Sequence, residues 1–568
     1  MKKIMLAALV ASIASSSFAQ TRMWVFLADK GANTQAKLQQ PARFLSEKAL
    51  ENRKEKGIAL TEEDLPVLNE YVTTLNRYDC KVLSTSRWLN AVAVEIPQNC
   101  EEEVRDLCFV TGMKPIQSLT VARENHLENG GKVLASYLPI TKKKQTGLAF
   151  DYGEAFNQAE MLKVPAFHQK GITGKGVRIA VFDAGFAGAD TIDVFKHIWK
   201  EKRVLAMHDF VDNDDNVFSN DDHGTEVLST IAANLPGEMV GIAPDATFIL
   251  GRTEQSASET QREEHNWVKA VEWADSIGVD VIHSSLGYTK FDDAVGSYTY
   301  QDMNGNTAIT SRAADKAAKK GILLTVSAGN EGAGAWKYIA APSDADSVLC
   351  VGAVNKNGKI ASFSSRGPSS DGQVKPDIMA VGANATVWAP DNHITTANGT
   401  SFSGPIMAGF EALLKQANPK RTNMEIIQAT RLSGDQYNFP DNDYGYGIPN
   451  VLFADSLLKN VKDLSTVKIN MTAKPSRDAK PKAPNVVTFT ANPKTELKLS
   501  GNSLSIKSPQ SIQQIEIRKE NMRVLLNNTL YKVNSNDAQF DISPLEKGEH
   551  YLHIKTAGYE ENIKFSKG

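Results

Sequence analysis

Residues 322–330 read ILLTVSAGN. The apolar run has no alternation with polar residues, so both of its faces must be covered, which is the habit of a strand inside a parallel sheet. It then breaks into small residues and one asparagine. Outward in both directions the same kind of run recurs: VRIAVF at 177–182, TFILGR at 247–252, VDVIHSSLG at 279–287 and VLCVGAV at 348–354. Between them lie HGTEVLSTIAAN (223–234), EEHNWVKAVEWADSIG (263–278) and TAITSRAADKAAKKG (307–321), each long enough and suitably patterned for a helix. Apolar strands alternating with helices predict an α/β domain, a doubly wound and mostly parallel sheet, over residues 151–460.

In such a sheet ligands bind beyond the carboxyl ends of the strands, so the residues that follow each run are the informative ones. Asp183 follows VRIAVF, Ser285–Leu286–Gly287 follow VDVIHS, and Ser327–Ala328–Gly329 lead to Asn330. His223 opens one helix, and Ser401, in NGTSFSGPIMAG (398–409), opens another. Taken singly, each has an ordinary explanation as a helix cap, a turn residue or a strand exit. Together they supply what acyl transfer needs. A serine hydroxyl is a weak nucleophile until an imidazole takes its proton, and a carboxylate holds that imidazole in the right tautomer. An amide and a backbone N–H at a helix start can then meet the oxyanion.

The blocks VRIAVFDAGF (177–186), DDHGTEVLSTIAA (221–233), HSSLGY (283–288), VSAGNEG (326–332) and NGTSFSGPIMAG resemble the signature segments of subtilisin-type serine peptidases, as do FSSRGP (363–368) and VKPDIMAVGA (374–383). The resemblance implies a triad of Asp183, His223 and Ser401, with an oxyanion hole from Asn330 and the Ser401 N–H. It implies that Ser285, Leu286 and Gly287 pair with an extended substrate backbone, and that Ser327, Ala328 and Gly329 wall the adjoining pocket. No organic cofactor is implied and no metal ligand is assigned; the family often binds calcium, but no site is assignable. DNDDN (212–216) hints at a calcium loop, yet Val217 and His223 stand where an EF-hand needs Gly and Glu. Two departures stand out: Ala184 where the family usually has Ser or Thr, and FSGPI after the nucleophile. Glu331 and Trp336 lie near the expected pocket mouth. A lipase elbow would read Gly-x-Ser-x-Gly, whereas residues 399–403 read GTSFS. The competing class is a non-catalytic relative that only binds peptides.

The remaining chain suggests a secreted precursor. Residues 1–19 read as a signal peptide: Lys2 and Lys3, the apolar run IMLAALVASIA, then small residues before a cut after Ala19. That run is too short to be a membrane anchor. Residues 20–124 hold an α+β pattern, and SRWLNAVAVEIP (86–97) resembles the family's inhibitory propeptide; residues 125–150 read as a cleavable connector. A Lys- and Pro-rich linker at 461–485 leads to a strand-rich segment at 486–568, expected to be a β-sandwich. Its ANPKTELKL, IQQIEIRKENMRVL, DISPLEKGEHYLHIKT and IKFSKG resemble sorting domains of type IX secretion substrates, which implies an export machinery as partner and a location outside the cell. The net charge of −3, with no basic stripe, argues against nucleic acid. With four cysteines, of which Cys350 sits in an apolar strand, the central region must be held by its core.

Overall fold

Seven parallel strands form the central sheet, in the order Ile378–Val381, Leu349–Val354, Leu323–Ser327, Val281–Ser284, Arg178–Asp183, Thr247–Arg252, Val204–Asp209. The structure, a computed structural model, describes residues 20–116, 148–292, 296–467, 469 and 475, and the backbone of the strands at 496–500, 503–519, 535–541, 548–556 and 560–567. The signal-peptide reading and most of the connector and linker therefore lie outside the described residues. The first strand, Arg178–Asp183, sits between strands that the chain reaches later on either side. Winding reverses there, and that reversal opens a crevice at the carboxyl ends of the strands.

The strand interiors are fully buried, as their unbroken apolar runs demand. One face is covered by the helix Thr400–Ala417, buried from Thr400 to Lys415. Its small residues let it lie close to the sheet. A Cβ on Gly404 would stand 2.5 Å from Ser327 Oγ and 2.6 Å from the His283 ring. The opposite face carries the helices Gln261–Ile277 and Ile309–Lys319, whose Trp267, Val271, Ala313 and Ala317 pack on Ile282 and Leu324. No helix among the described residues is long and apolar enough to cross a membrane.

The N-terminal domain is a four-stranded antiparallel sheet, in the order Lys81–Ser86, Ala91–Pro97, Gln20–Leu27, Val110–Ile116. Met23, Val25, Val92 and Val94 form its own core with Leu75 and Val104. The alternate positions, Trp24, Ala91 and Ala93, are also apolar because they pack on the helix Gln261–Ile277. Both faces of this small sheet are thus committed, one within the domain and one to its neighbour. Glu272 of that helix accepts the N–H groups of Arg87 (2.9 Å) and Trp88 (3.2 Å) and the Ser86 hydroxyl. Asp275 receives the guanidinium groups of Arg53 and Arg87 at 2.8 and 2.7 Å. At the helix end, Gly278 adopts φ 84°, and a Cβ there would meet Ala49 N at 2.5 Å. The Ser46 N–H and the Asn52 amide donate to the carbonyls of Ser276 and Gly278, completing groups that a helix end leaves without partners.

The C-terminal strands are all antiparallel. The 17-residue strand Ser503–Lys519 pairs with Glu496–Ser500 and Ser535–Asp541 along its first part and with Gly548–Thr556 along its second, the register shifting between.

Candidate active site

Asp183 ends the strand that marks the winding reversal and is wholly buried. Its Oδ1 accepts the Ala184 N–H at 2.8 Å and lies 2.7 Å from His223 Nδ1. With Nδ1 donating to the carboxylate, Nε2 carries the lone pair that can accept a proton. Among the described residues, Asp183 Oδ2 is buried without a hydrogen-bond partner. The departure at Ala184 accounts for this locally, since alanine brings no hydroxyl to the carboxylate. The following turn is held by Arg252, which donates to Ala184 O (3.1 Å), Asp209 and Asp212. Asp212, one of the carboxylates of DNDDN, is thereby spent on a guanidinium.

His223 is the first residue of the helix His223–Ala232, placed by its own N–H donating to Asp221 Oδ1 at 2.8 Å. Burial works against a charged imidazole here, but Asp183, with Asp221 and Glu226 behind it, prevails and raises the His223 pKa to about 9.

Ser401 lies in the first turn of the helix Thr400–Ala417 and is 7% exposed. The neighbouring Phe402 ring stands 5.8 Å from the His223 ring between centroids, so the imidazole lies beside this turn. The hydroxyl itself forms no hydrogen bond to His223 in this conformation; such contacts are often long before substrate arrives. Asn330 is exposed and held at the same turn. Its Oδ1 accepts the Thr400 N–H at 2.8 Å and the Thr400 hydroxyl at 3.0 Å, which assigns the amide orientation and turns its NH₂ outward.

Pro405 explains a contact that the sequence does not display. Proline has no N–H for the carbonyl four residues back, and that carbonyl, of Ser401, accepts the Ser285 hydroxyl instead, at 2.9 Å. Ser285 Oγ also meets the buried His283 Nε2 at 2.7 Å. Burial lowers the His283 pKa to about 3, so its imidazole is neutral. Ser285, Leu286 and Gly287 are half-buried to exposed, between the ladder that ends at Ser284 and Tyr288, whose N–H returns to Ala341 O. Ser327 and Ala328, at the end of the adjoining strand, are buried, with Ser327 Oγ donating to Thr400 O at 2.8 Å. Gly329 donates its N–H to Thr400 Oγ1 at 3.2 Å. Glu331 is exposed, and Trp336 is half-buried with its indole N–H on Ile339 O. The acid, the imidazole, the hydroxyl and the amide thus gather on one rim. Thr400, Pro405 and Arg252, which hold them, carry no signal in the sequence that marks this role.

A hydroxyl, an imidazole and a buried carboxylate at the switch point of a parallel sheet define a class of acyl-transfer hydrolases. The profile of the subtilase family matches residues 174–447, and that of the Peptidase S8 propeptide domain of Bacteroidota matches residues 22–130. Subtilisin E of Bacillus subtilis (strain 168) is 31% identical over 334 residues, covering 57% of this chain and 77% of that protein. Subtilisin of Bacillus pumilus is 31% identical over 299 residues, 51% of this chain and 94% of that one. Subtilisin Savinase of Lederbergia lenta is 29% identical over 294 residues, 51% and 94%. A solved structure, of MycP1 with the N-terminal propeptide removed, is 25% identical with a TM-score of 0.42, covering 53% of this chain and 96% of that one. The chain belongs to the subtilase family: it is a subtilisin-like peptidase that carries its own propeptide domain.

Proposed function

We propose that this protein is a secreted serine endopeptidase, made as an autoprocessed precursor, that cleaves protein substrates through Asp183, His223 and Ser401. The Asp183–His223 contact of 2.7 Å, with the Ser401 turn packed beside the imidazole, carries the reading. His223 Nε2 takes the proton of Ser401 Oγ as that oxygen attacks the peptide carbonyl. The same imidazolium returns the proton to the leaving amine, and water then releases the acyl group. Asp183 stabilises the imidazolium. The Asn330 NH₂ and the Ser401 N–H meet the oxyanion, and the edge Ser285–Gly287 pairs with the substrate backbone. A serine-directed phosphonate tests the assignment. One equivalent should attach at Ser401, whereas a peptide-binding relative without catalysis would stay unlabelled.

Two results follow from the geometry. Removing the Asn330 amide leaves substrate binding intact but withdraws a donor from the transition state. Asn330→Ala should therefore lower kcat by about 10²–10³-fold with little change in KM. Because His223 must be neutral to act as base, activity is lost as pH falls through its raised pKa. The acid limb of kcat/KM against pH should centre near about 9 rather than at the ordinary histidine value.

The remaining assignments are part of the same proposal. Residues 1–19 would direct export, 20–124 would inhibit until cleaved within 125–150, and 151–460 would form the mature peptidase. Residues 486–568, after the linker 461–485, would serve a type IX export machinery. Deleting 486–568 should then hold active enzyme in the periplasm; unchanged export would refute that role.

A further inference from the structure

His283 lies next to the end of the strand Val281–Ser284 and is wholly buried against the helix Thr400–Ala417. Gly404 leaves room for it there, since a Cβ at 404 would stand 2.6 Å from the imidazole Cε1. Both ring nitrogens face oxygens. Nδ1 stands 3.1 Å from Thr325 O, Nε2 stands 2.7 Å from Ser285 Oγ, and Ser285 Oγ stands 2.9 Å from the Ser401 carbonyl. A chain of four groups thus runs from the neighbouring strand to the backbone of Ser401.

That chain is one proton short. Both of its ends are carbonyls, which only accept. Between them a neutral imidazole brings one N–H and Ser285 brings one O–H, so two protons serve three contacts. An imidazolium would fill all three, but burial lowers the His283 pKa to about 3, and the charge of His223 works in the same direction. The Thr325 hydroxyl is committed to Glu411 and brings no proton to Nδ1. One contact must do without, and the longest of the three, from Nδ1 to Thr325 O, is the one to leave empty. With the proton on Nε2, the imidazole donates to Ser285, and the Ser285 proton is left for the Ser401 carbonyl, whose helical donor Pro405 has removed. With the proton on Nδ1, Ser285 would turn its own proton to Nε2 and release that carbonyl.

We propose that His283 is a positioning residue for peptide cleavage: its Nε2–H tautomer commits the Ser285 hydroxyl to the Ser401 carbonyl and so fixes the backbone from which Ser401 Oγ attacks. His283 is buried away from solvent and acts through Ser285 rather than on the substrate. The positioning role rests on the function proposed above; the tautomer does not.

Two measurements test it. In the full-length Ser401→Ala chain labelled with ¹⁵N-histidine, the His283 resonances, assigned by their loss in His283→Gln, should show the proton on Nε2. A proton on Nδ1 would overturn the proposal. In the active chain, His283→Leu should lower kcat by ~2–10-fold, the size of one hydrogen bond, with KM little changed. His283→Gln, whose amide can still donate to Ser285, should recover most of that loss. In a Ser285→Ala background, His283→Leu should cost nothing further, because the hydroxyl through which it acts is gone. Equal losses in both backgrounds would mark a packing effect and overturn the role, as would a His283→Gln chain no faster than His283→Leu. A parent that neither cleaves peptides nor takes up the serine-directed phosphonate would refute the catalytic reading, and the positioning role with it, whatever tautomer the spectrum shows. A parent that cleaves, with additive losses, would refute the positioning role alone.

Discussion

Ser401→Ala should lower kcat for peptide cleavage by about 10⁶-fold, the size that removing the nucleophile has in subtilisin. The substitution takes away one oxygen and leaves the rest in place. The Ser401 carbonyl still accepts the Ser285 hydroxyl, and Thr400 still orients Asn330. The fold should therefore be unaffected, and a melt matching the parent separates lost chemistry from lost structure. What remains is polarisation of the carbonyl by the amide and the helix start, with no covalent route. The same variant reports on maturation: the full-length chain should accumulate. Appearance of the usual shortened species would show that another peptidase makes the cut.

Asp183→Asn should cost about 10⁴-fold in kcat, and its origin here is specific. Asp183 Oδ1 serves both the Ala184 N–H and His223 Nδ1, while Oδ2 has no partner. An asparagine can put its oxygen where Oδ1 stands and its NH₂ where Oδ2 stands, keeping the imidazole in the same tautomer. The negative charge is then the main loss. Without it, burial dominates His223, and the acid limb of the pH profile should fall from about 9 to the ordinary histidine range or below. A limb that stays in place would show that Asp183 does not hold the His223 charge.

The sheet was readable where its strands are covered on both sides. VRIAVF, ILLTVS and VLCVGAV admit no other burial, and each became a strand. The edge strand Val204–Asp209 is not legible in the sequence because its half-exposed residues carry no such run. Ile378–Val381 has only four residues and stands between polar turns. For the site, the rule that chemistry gathers beyond strand ends was enough to nominate Asp183, His223, Asn330 and Ser401. The contacts that orient them were not readable, because Thr400 lies 70 positions from Asn330 and Ser285 lies 116 positions from Ser401.

The bond from Ser285 Oγ to the Ser401 carbonyl has a mechanical consequence. The edge that would receive a peptide and the residue that would attack it share one tether, anchored where proline interrupts the helical ladder. Under the proposed function, a peptide that displaces the edge would also displace the Ser401 carbonyl, coupling fit along the cleft to the aim of the nucleophile.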